Sequence, residues 1–294
     1  MKLAILCFIL INILGCSGPA FSCASCGSGA GNPLVFSPDQ NQKIYFGFGH
    51  EDNFGHFTYS GKLTKDHNLS QRYRLEYSHG FRIHPKATLA LNLKAQRSTG
   101  NNESRTGLTD PTLMSRYDIQ LQSLASLWRP QIQLLSDLQI PLGVSTSESK
   151  HPTLLDVTGS GYLSGYLGTD IWWGMNNIVF GTNLLLKFPL LAKNSKQSTL
   201  PGHTLATTMT TGYRVGKNKV LIGINLSQTS SSQVNNTKIP NSNIQQIDGF
   251  TTLELEYDET SEIRFTASQV GINGFPQKLA SRITTLLIGY IKLI

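Results

Sequence analysis

The sequence predicts an all-β fold: an antiparallel up-and-down transmembrane β-barrel of about twelve strands, with short periplasmic turns and long extracellular loops. Three observations predict it. Apolar and polar residues alternate at period two in run after run from Lys43 to Ile294, as in strands with one apolar and one wetted face. The spacers between the runs alternate between long and short, which an outer-membrane barrel requires and a soluble sandwich does not. No apolar stretch is long enough for a spanning helix.

The runs follow in order. In 43–49, Ile44, Phe46 and Phe48 share one face. In 72–77, Tyr73, Leu75 and Tyr77 point one way and Arg72, Arg74 and Glu76 the other. The next runs are 87–94 and 113–121, the latter with Arg116, Asp118 and Gln120 on its polar face. Further runs cover 131–141, 160–173, 178–188, 204–213, 219–229, 249–257, 262–271 and 282–294. Each is close to the roughly nine to eleven residues that a tilted strand needs to cross a bilayer. The last, ending Tyr290-Ile291-Lys292-Leu293-Ile294, is apolar on both faces and leaves its phase open. It also lacks the terminal aromatic residue by which the assembly machinery, an expected partner, recognises such strands.

Long polar spacers fall at 51–68, 95–111, 142–158, 189–203, 230–248 and 272–281. Short links fall at 79–85, 123–130, 174–177, 215–218 and 258–261. With the first strand rising from the periplasm, the long loops all lie outside. This places the chain in the bacterial outer membrane, with outer-membrane lipid as a partner. The competing reading is a secreted soluble β-protein with the same alternation.

In a barrel the polar face lines the lumen. The candidate lumen-lining residues are Arg72, Arg74, Glu76, Lys94, Arg116, Asp118, Asp137, Glu254, Glu256 and Arg264. Both signs occur, so these groups either pair across the lumen and fill it or select a solute. Trp172-Trp173, Tyr45, Tyr73, Tyr77, Tyr257 and Tyr290 are candidates for an aromatic girdle at the membrane interface.

Charged residues make up 15 % of the chain, below the roughly 25 % of soluble domains, as expected for a lipid-facing surface. The formal charge of +7 is scattered without a basic run. Nucleic-acid binding, which needs a clustered basic face, is therefore not expected.

The N-terminus reads as a signal peptide over 1–22, followed by a flexible Cys/Gly-rich segment over 23–42 and the barrel over 43–294. Lys2 precedes an apolar run too short to span, and then small residues. Cleavage after Ala20-Phe21-Ser22 would leave Cys23 first, whereas Leu14-Gly15-Cys16 resembles a lipobox with Cys16 as the lipidated residue. All four cysteines lie at 7, 16, 23 and 26, so the barrel has none. Cys23 and Cys26 form a C-x-x-C pair: a local disulfide, half a metal site or a redox pair. Haem attachment is excluded because Gly27 stands where His is needed. With no second pair, neither a metal nor a cofactor is expected.

Three segments resemble outer-membrane proteins related to the MetA-pathway phenol-degradation family. Gly107-Leu108-Thr109-Asp110-Pro111-Thr112-Leu113 leading to Tyr117 resembles that family's strand-start signature. Leu138-Gln139-Ile140-Pro141-Leu142-Gly143 resembles its strand end, with Leu142 in place of Thr, and Thr158-Gly159-Ser160-Gly161-Tyr162 resembles the following strand start. The resemblance covers 107–170 and implies a barrel that passes small, hydrophobic or aromatic compounds. Pro111 cannot donate to a ladder and suits a first strand position, and Asp110 suits a turn by accepting from nearby backbone donors.

Catalysis is not expected. A phospholipase-like site needs His and Ser two residues apart on an outer strand face. His50 has Asp52 but no nucleophile, and Ser78 beside His79 points to the opposite face. Two functional readings remain: a passive channel for small solutes, or a non-transporting scaffold or surface-binding barrel.

Overall fold

Period-two alternation becomes a single closed sheet. The computed structural model describes residues 41–294 apart from 59, 61, 65–70, 101–102, 122–128, 151–153, 176, 193–198, 235–236 and 273–280. The expected signal peptide, Cys16, Cys23, Cys26 and almost all of the 23–42 segment lie outside the described residues.

Twelve strands form the wall. They are β1 Gln42–Phe57, β2 Gln71–His84, β3 Ala87–Gly100, β4 Thr112–Gln120, β5 Gln131–Gln139 and β6 Tyr162–Met175. After them come β7 Ile178–Ala192, β8 Thr204–Val215, β9 Asn218–Thr229, β10 Ile244–Asp258, β11 Ser261–Val270 and β12 Ser281–Leu293. Each pairs antiparallel with its sequence neighbour, and β12 pairs back onto β1 from Lys43↔Leu293 to His56↔Ser281. The sheet therefore has no edge. Closure rules out the sandwich, whose sheets keep open edges, and satisfies the backbone without water, the condition for a strand to cross lipid.

The twelve expected runs each fall on one of these strands, but several strands run further toward the long-loop end. β1 continues to Phe57, β3 to Gly100 and β7 to Ala192, where loops were expected from 51, 95 and 189. Between β3 and β4, the strand Glu103–Leu108 pairs with Ala95–Gly100. Its first four residues are exposed, Glu103 through Thr106. Once past the apolar belt, a ladder can have water on both faces, so the hydrophobic alternation ends before the hydrogen bonding does. At the other end, β2 runs on through Ile83, leaving only Pro85-Lys86 as its turn. The links 215–218 and 258–261 are likewise two-residue turns. Gly216 takes φ +59° with open space around it.

Register fixes the faces. Phe46, Phe48, Leu75, Leu113, Leu134, Leu167, Leu184, Met209, Ile222, Ile224, Phe265, Leu286 and Ile288 all point outward and are exposed. They come from strands all round the wall and form a continuous apolar belt, which a protein in water would bury and a protein in lipid would not. The phase of β12 is also settled: Leu286, Ile288 and Tyr290 face out, and Leu287, Gly289 and Ile291 face in.

Candidate functional site

The inner face carries the chemistry. The ladder places Arg72, Arg74, Glu76, Lys94, Arg116, Asp118, Asp137, Glu254 and Arg264 on it. Most of the charges are matched. Arg74 Nη1 lies 2.9 Å from Glu51 Oε1, and Lys94 Nζ lies 3.1 Å from Glu76 Oε1. Arg116 grips both carboxylate oxygens of Asp137. Asp118 accepts from Gln133 at 2.6 Å and Gln131 at 3.3 Å. Glu254 stands between Lys219 Nζ at 2.7 Å and Arg264 Nη2 at 2.6 Å. Glu256 behaves differently: it pairs with Lys217 at 3.2 Å at the rim, where Lys217 is two-thirds exposed.

Sequence reasoning missed the carboxylate Glu51, two residues past the 43–49 run, and the cation Lys219, the first residue of the 219–229 run. It also misassigned two aromatics. Tyr45 and Trp172, expected in the interfacial girdle, face inward at 1 % and 2 % exposure. Glycines on the wall explain why. A Cβ on Gly289 would sit 2.2 Å from the Tyr45 ring, and one on Gly181 would sit 2.3 Å from the Trp172 ring. The rings therefore lie flat against bare backbone inside the barrel. Trp172, Val179, Leu221, Ile291 and Tyr45 are inward and buried toward the turn end, level with the Lys219–Glu254–Arg264 group. At this level side chains fill the lumen.

Toward the loop end the lumen opens into a chamber of about 420 Å³, walled by Arg72, Arg74, Lys94, Gln96, Thr112, Gln139 and Tyr166 and closed on one side by 157–160. Lys187 Nζ sits 5.1 Å from the centre of the Tyr166 ring and 5.6 Å from that of Tyr162. A larger apolar depression, of about 730 Å³ and bordered by Phe46, Phe48, Leu75, Leu93 and Leu108, lies on the outer face and belongs to the lipid-facing belt.

The chamber wall includes a junction at Asp110. The β4–β5 ladder stops at Thr112↔Gln139 and the β5–β6 ladder at Gln139↔Ser164. Beyond them Asp110 ties the segments together, beside backbone bonds from Thr158 and Gly159 to Val144 O. Asp110 accepts from Ser160 N–H at 2.7 Å, the Ser160 hydroxyl at 2.6 Å, Gly143 N–H at 2.9 Å and Gln139 Nε2 at 3.3 Å. Gly143 and Gly159 meet back to back, and a Cβ on Gly143 would come within 2.7 Å of Gly159 Cα. Pro111, at the break, offers only its carbonyl, which accepts from Ile140 N–H at 2.9 Å. The three segments that carry the family resemblance thus converge on Asp110. The order of those motifs was the available signal, although Asp110 had been read only as a turn residue.

No group of three or more metal-ligating side chains occurs among the described residues. His50 is bonded to Asp52 at 3.2 Å and lies against Tyr73 on the outer face.

No family model matches this sequence, and no curated protein matches it. Solved structures do match. The fold is similar to the COG4313 outer membrane channel from Pseudomonas putida F1, with a TM-score of 0.70 and 12 % identity over 91 % of this chain and 99 % of that one. Weaker similarities run to the TodX deltaS2S3 mutant monoaromatic hydrocarbon channel (TM-score 0.49, 12 % identity, 94 % and 97 % covered) and the CymD monoaromatic hydrocarbon channel (0.48, 10 %, 96 % and 96 %). The chain has the closed-barrel fold of an outer-membrane channel.

Proposed function

We propose that this chain is a passive outer-membrane channel that admits small solutes from the cell exterior. The observation that carries the reading is the chamber beneath the long loops, lined by inward side chains of β2, β3, β4, β5 and β6. The packed layer toward the turn end is the constriction of the path. A solute crosses when Trp172 and its neighbours yield, so passage is slow and limited to small compounds. The Tyr45 and Trp172 rings in that layer, set beside the charged Lys219, Glu254 and Arg264, support passage of aromatic compounds over sugars. This agrees with the substrate class implied by the resemblance to the MetA-pathway phenol-degradation family.

One observation favours a second reading. The near-complete pairing of lumen charges, with Glu254 only 2 % exposed, would suit a barrel that spans the membrane without transport. Swelling of liposomes containing the purified full-length chain separates the two. Entry of small aromatic solutes above the rate of protein-free vesicles supports the channel, with disaccharides entering more slowly. Rates equal to those of empty vesicles for every solute support the scaffold.

A further inference from the structure

The geometry points to Arg72 as the anchor for the carboxylate of a small organic acid bound in the upper chamber. The inference uses the channel reading only for how such an acid arrives; the site stands on its own contacts.

Arg72 differs from the other inward cations around it. Arg74 is held by Glu51 and Lys94 by Glu76, and Arg116 is held by Asp137. Arg72 makes no hydrogen bond or ion pair with any described residue; its buried Nε is without a partner, as are those of Arg74 and Arg116, so the missing ion pair is what sets it apart. Its cross-strand neighbour is Glu51. One oxygen of Glu51 is taken by Arg74, and the other is buried without a hydrogen bond, so the direct Arg72–Glu51 pair is not made. Across the chamber, the oxygens of Asp110 are occupied by Gly143, Ser160 and Gln139. Arg72, Arg74 and Lys94 share this end of the lumen with the carboxylates of Glu51, Glu76 and Asp110, and of these three cations Arg72 is the one without an ion pair.

A half-buried guanidinium without partners is costly unless an acceptor reaches it. Its two Nη groups, which unlike Nε are not buried, match the two oxygens of a carboxylate end-on in a bidentate pair. The chamber volume of about 420 Å³ suits an acid of one ring. Tyr166 and Thr112 in its wall supply a flat face and a hydroxyl.

The test is calorimetric titration of the full-length barrel in non-ionic detergent micelles with benzoate, with benzyl alcohol as the uncharged control and inorganic phosphate as the competing oxyanion. Saturable binding of benzoate is expected, with benzyl alcohol and phosphate each at least tenfold weaker. Arg72→Gln is expected to weaken benzoate at least tenfold while leaving heat-shifted gel mobility unchanged, and Arg72→Lys less severely. Absence of benzoate binding, equal binding of benzyl alcohol or phosphate, or undiminished binding by Arg72→Gln would overturn the site. The wild-type comparisons decide the matter even if a variant fails to fold. Binding in micelles requires no passage, so a barrel that binds benzoate and conducts nothing keeps the site and loses the channel reading.

Discussion

Asp110 holds Ser160 through both its N–H and its hydroxyl, at 2.7 and 2.6 Å, across fifty residues of sequence. One carboxylate here gathers donors from Gln139, Gly143 and Ser160 where the β4–β5 and β5–β6 ladders stop. Removing it should open the junction rather than the barrel. Asp110→Ala should cost about 1–3 kcal/mol, the usual penalty for orphaned donors. Hydrogen exchange would locate the effect, with the Gly143 and Ser160 amides losing protection and the β9 amides keeping theirs.

A lipid-facing wall makes a different prediction from a water-facing one. Ile222 lies outward on β9 and is 57 % exposed. In water, Ile222→Lys would be nearly neutral. In a bilayer the same change should cost about 2–4 kcal/mol. Urea unfolding from phospholipid vesicles measures it, with Lys217→Ala in the turn as a control expected to change little.

Glu254 sits between two buried cations, Lys219 and Arg264. Glu254→Gln removes the charge that both cations share, and about 3–5 kcal/mol of destabilisation is expected. Glu256→Gln at the rim removes a largely exposed pair and should change stability by less than about 1 kcal/mol. Equal effects of the two variants in urea unfolding would contradict the packed-lumen description.

The turn Asp258–Ser261 lies beyond the apolar belt. Asp258 accepts from Thr260 N–H at 2.7 Å and the Thr260 hydroxyl at 2.8 Å, with Lys292 at 3.9 Å. These bonds, the backbone one foremost, hold its pKa below the usual carboxylate value. The folded pKa is depressed, so the contribution to stability is present above the unfolded pKa. It is lost as pH falls through the folded value. Protection of the Thr260 amide, normalised for intrinsic exchange, should be constant from neutral pH to about 4 and fall below it. Asp258→Asn should remove that dependence.

Much of the barrel was legible because lipid imposes a strict period on each strand. Tyr73, Leu75 and Tyr77 against Arg72, Arg74 and Glu76 fix both faces of β2 without any knowledge of its neighbours. The limits were physical. Past the belt, the polar residues of Ala95–Gly100 and Glu103–Leu108 carry no alternation, so their pairing left no mark in composition. The inward placement of Tyr45 and Trp172 depends on Gly289 and Gly181 across the register, and register is a property of pairs. Asp110 was visible as a residue, but its partners lie 33 and 50 positions away. Among the lumen candidates, pairing distinguishes Arg72 from Arg74, and one strand alone does not encode it.

Single-channel recording of the full-length chain in planar bilayers, wild type against Trp172→Ala, measures whether the layer around Trp172 constricts the lumen. Small, discrete wild-type conductance steps are expected, growing severalfold when the Trp172 ring is removed from the packed layer. Large porin-like steps in the wild type, or steps of equal size in both proteins, would contradict a lumen constricted at that level.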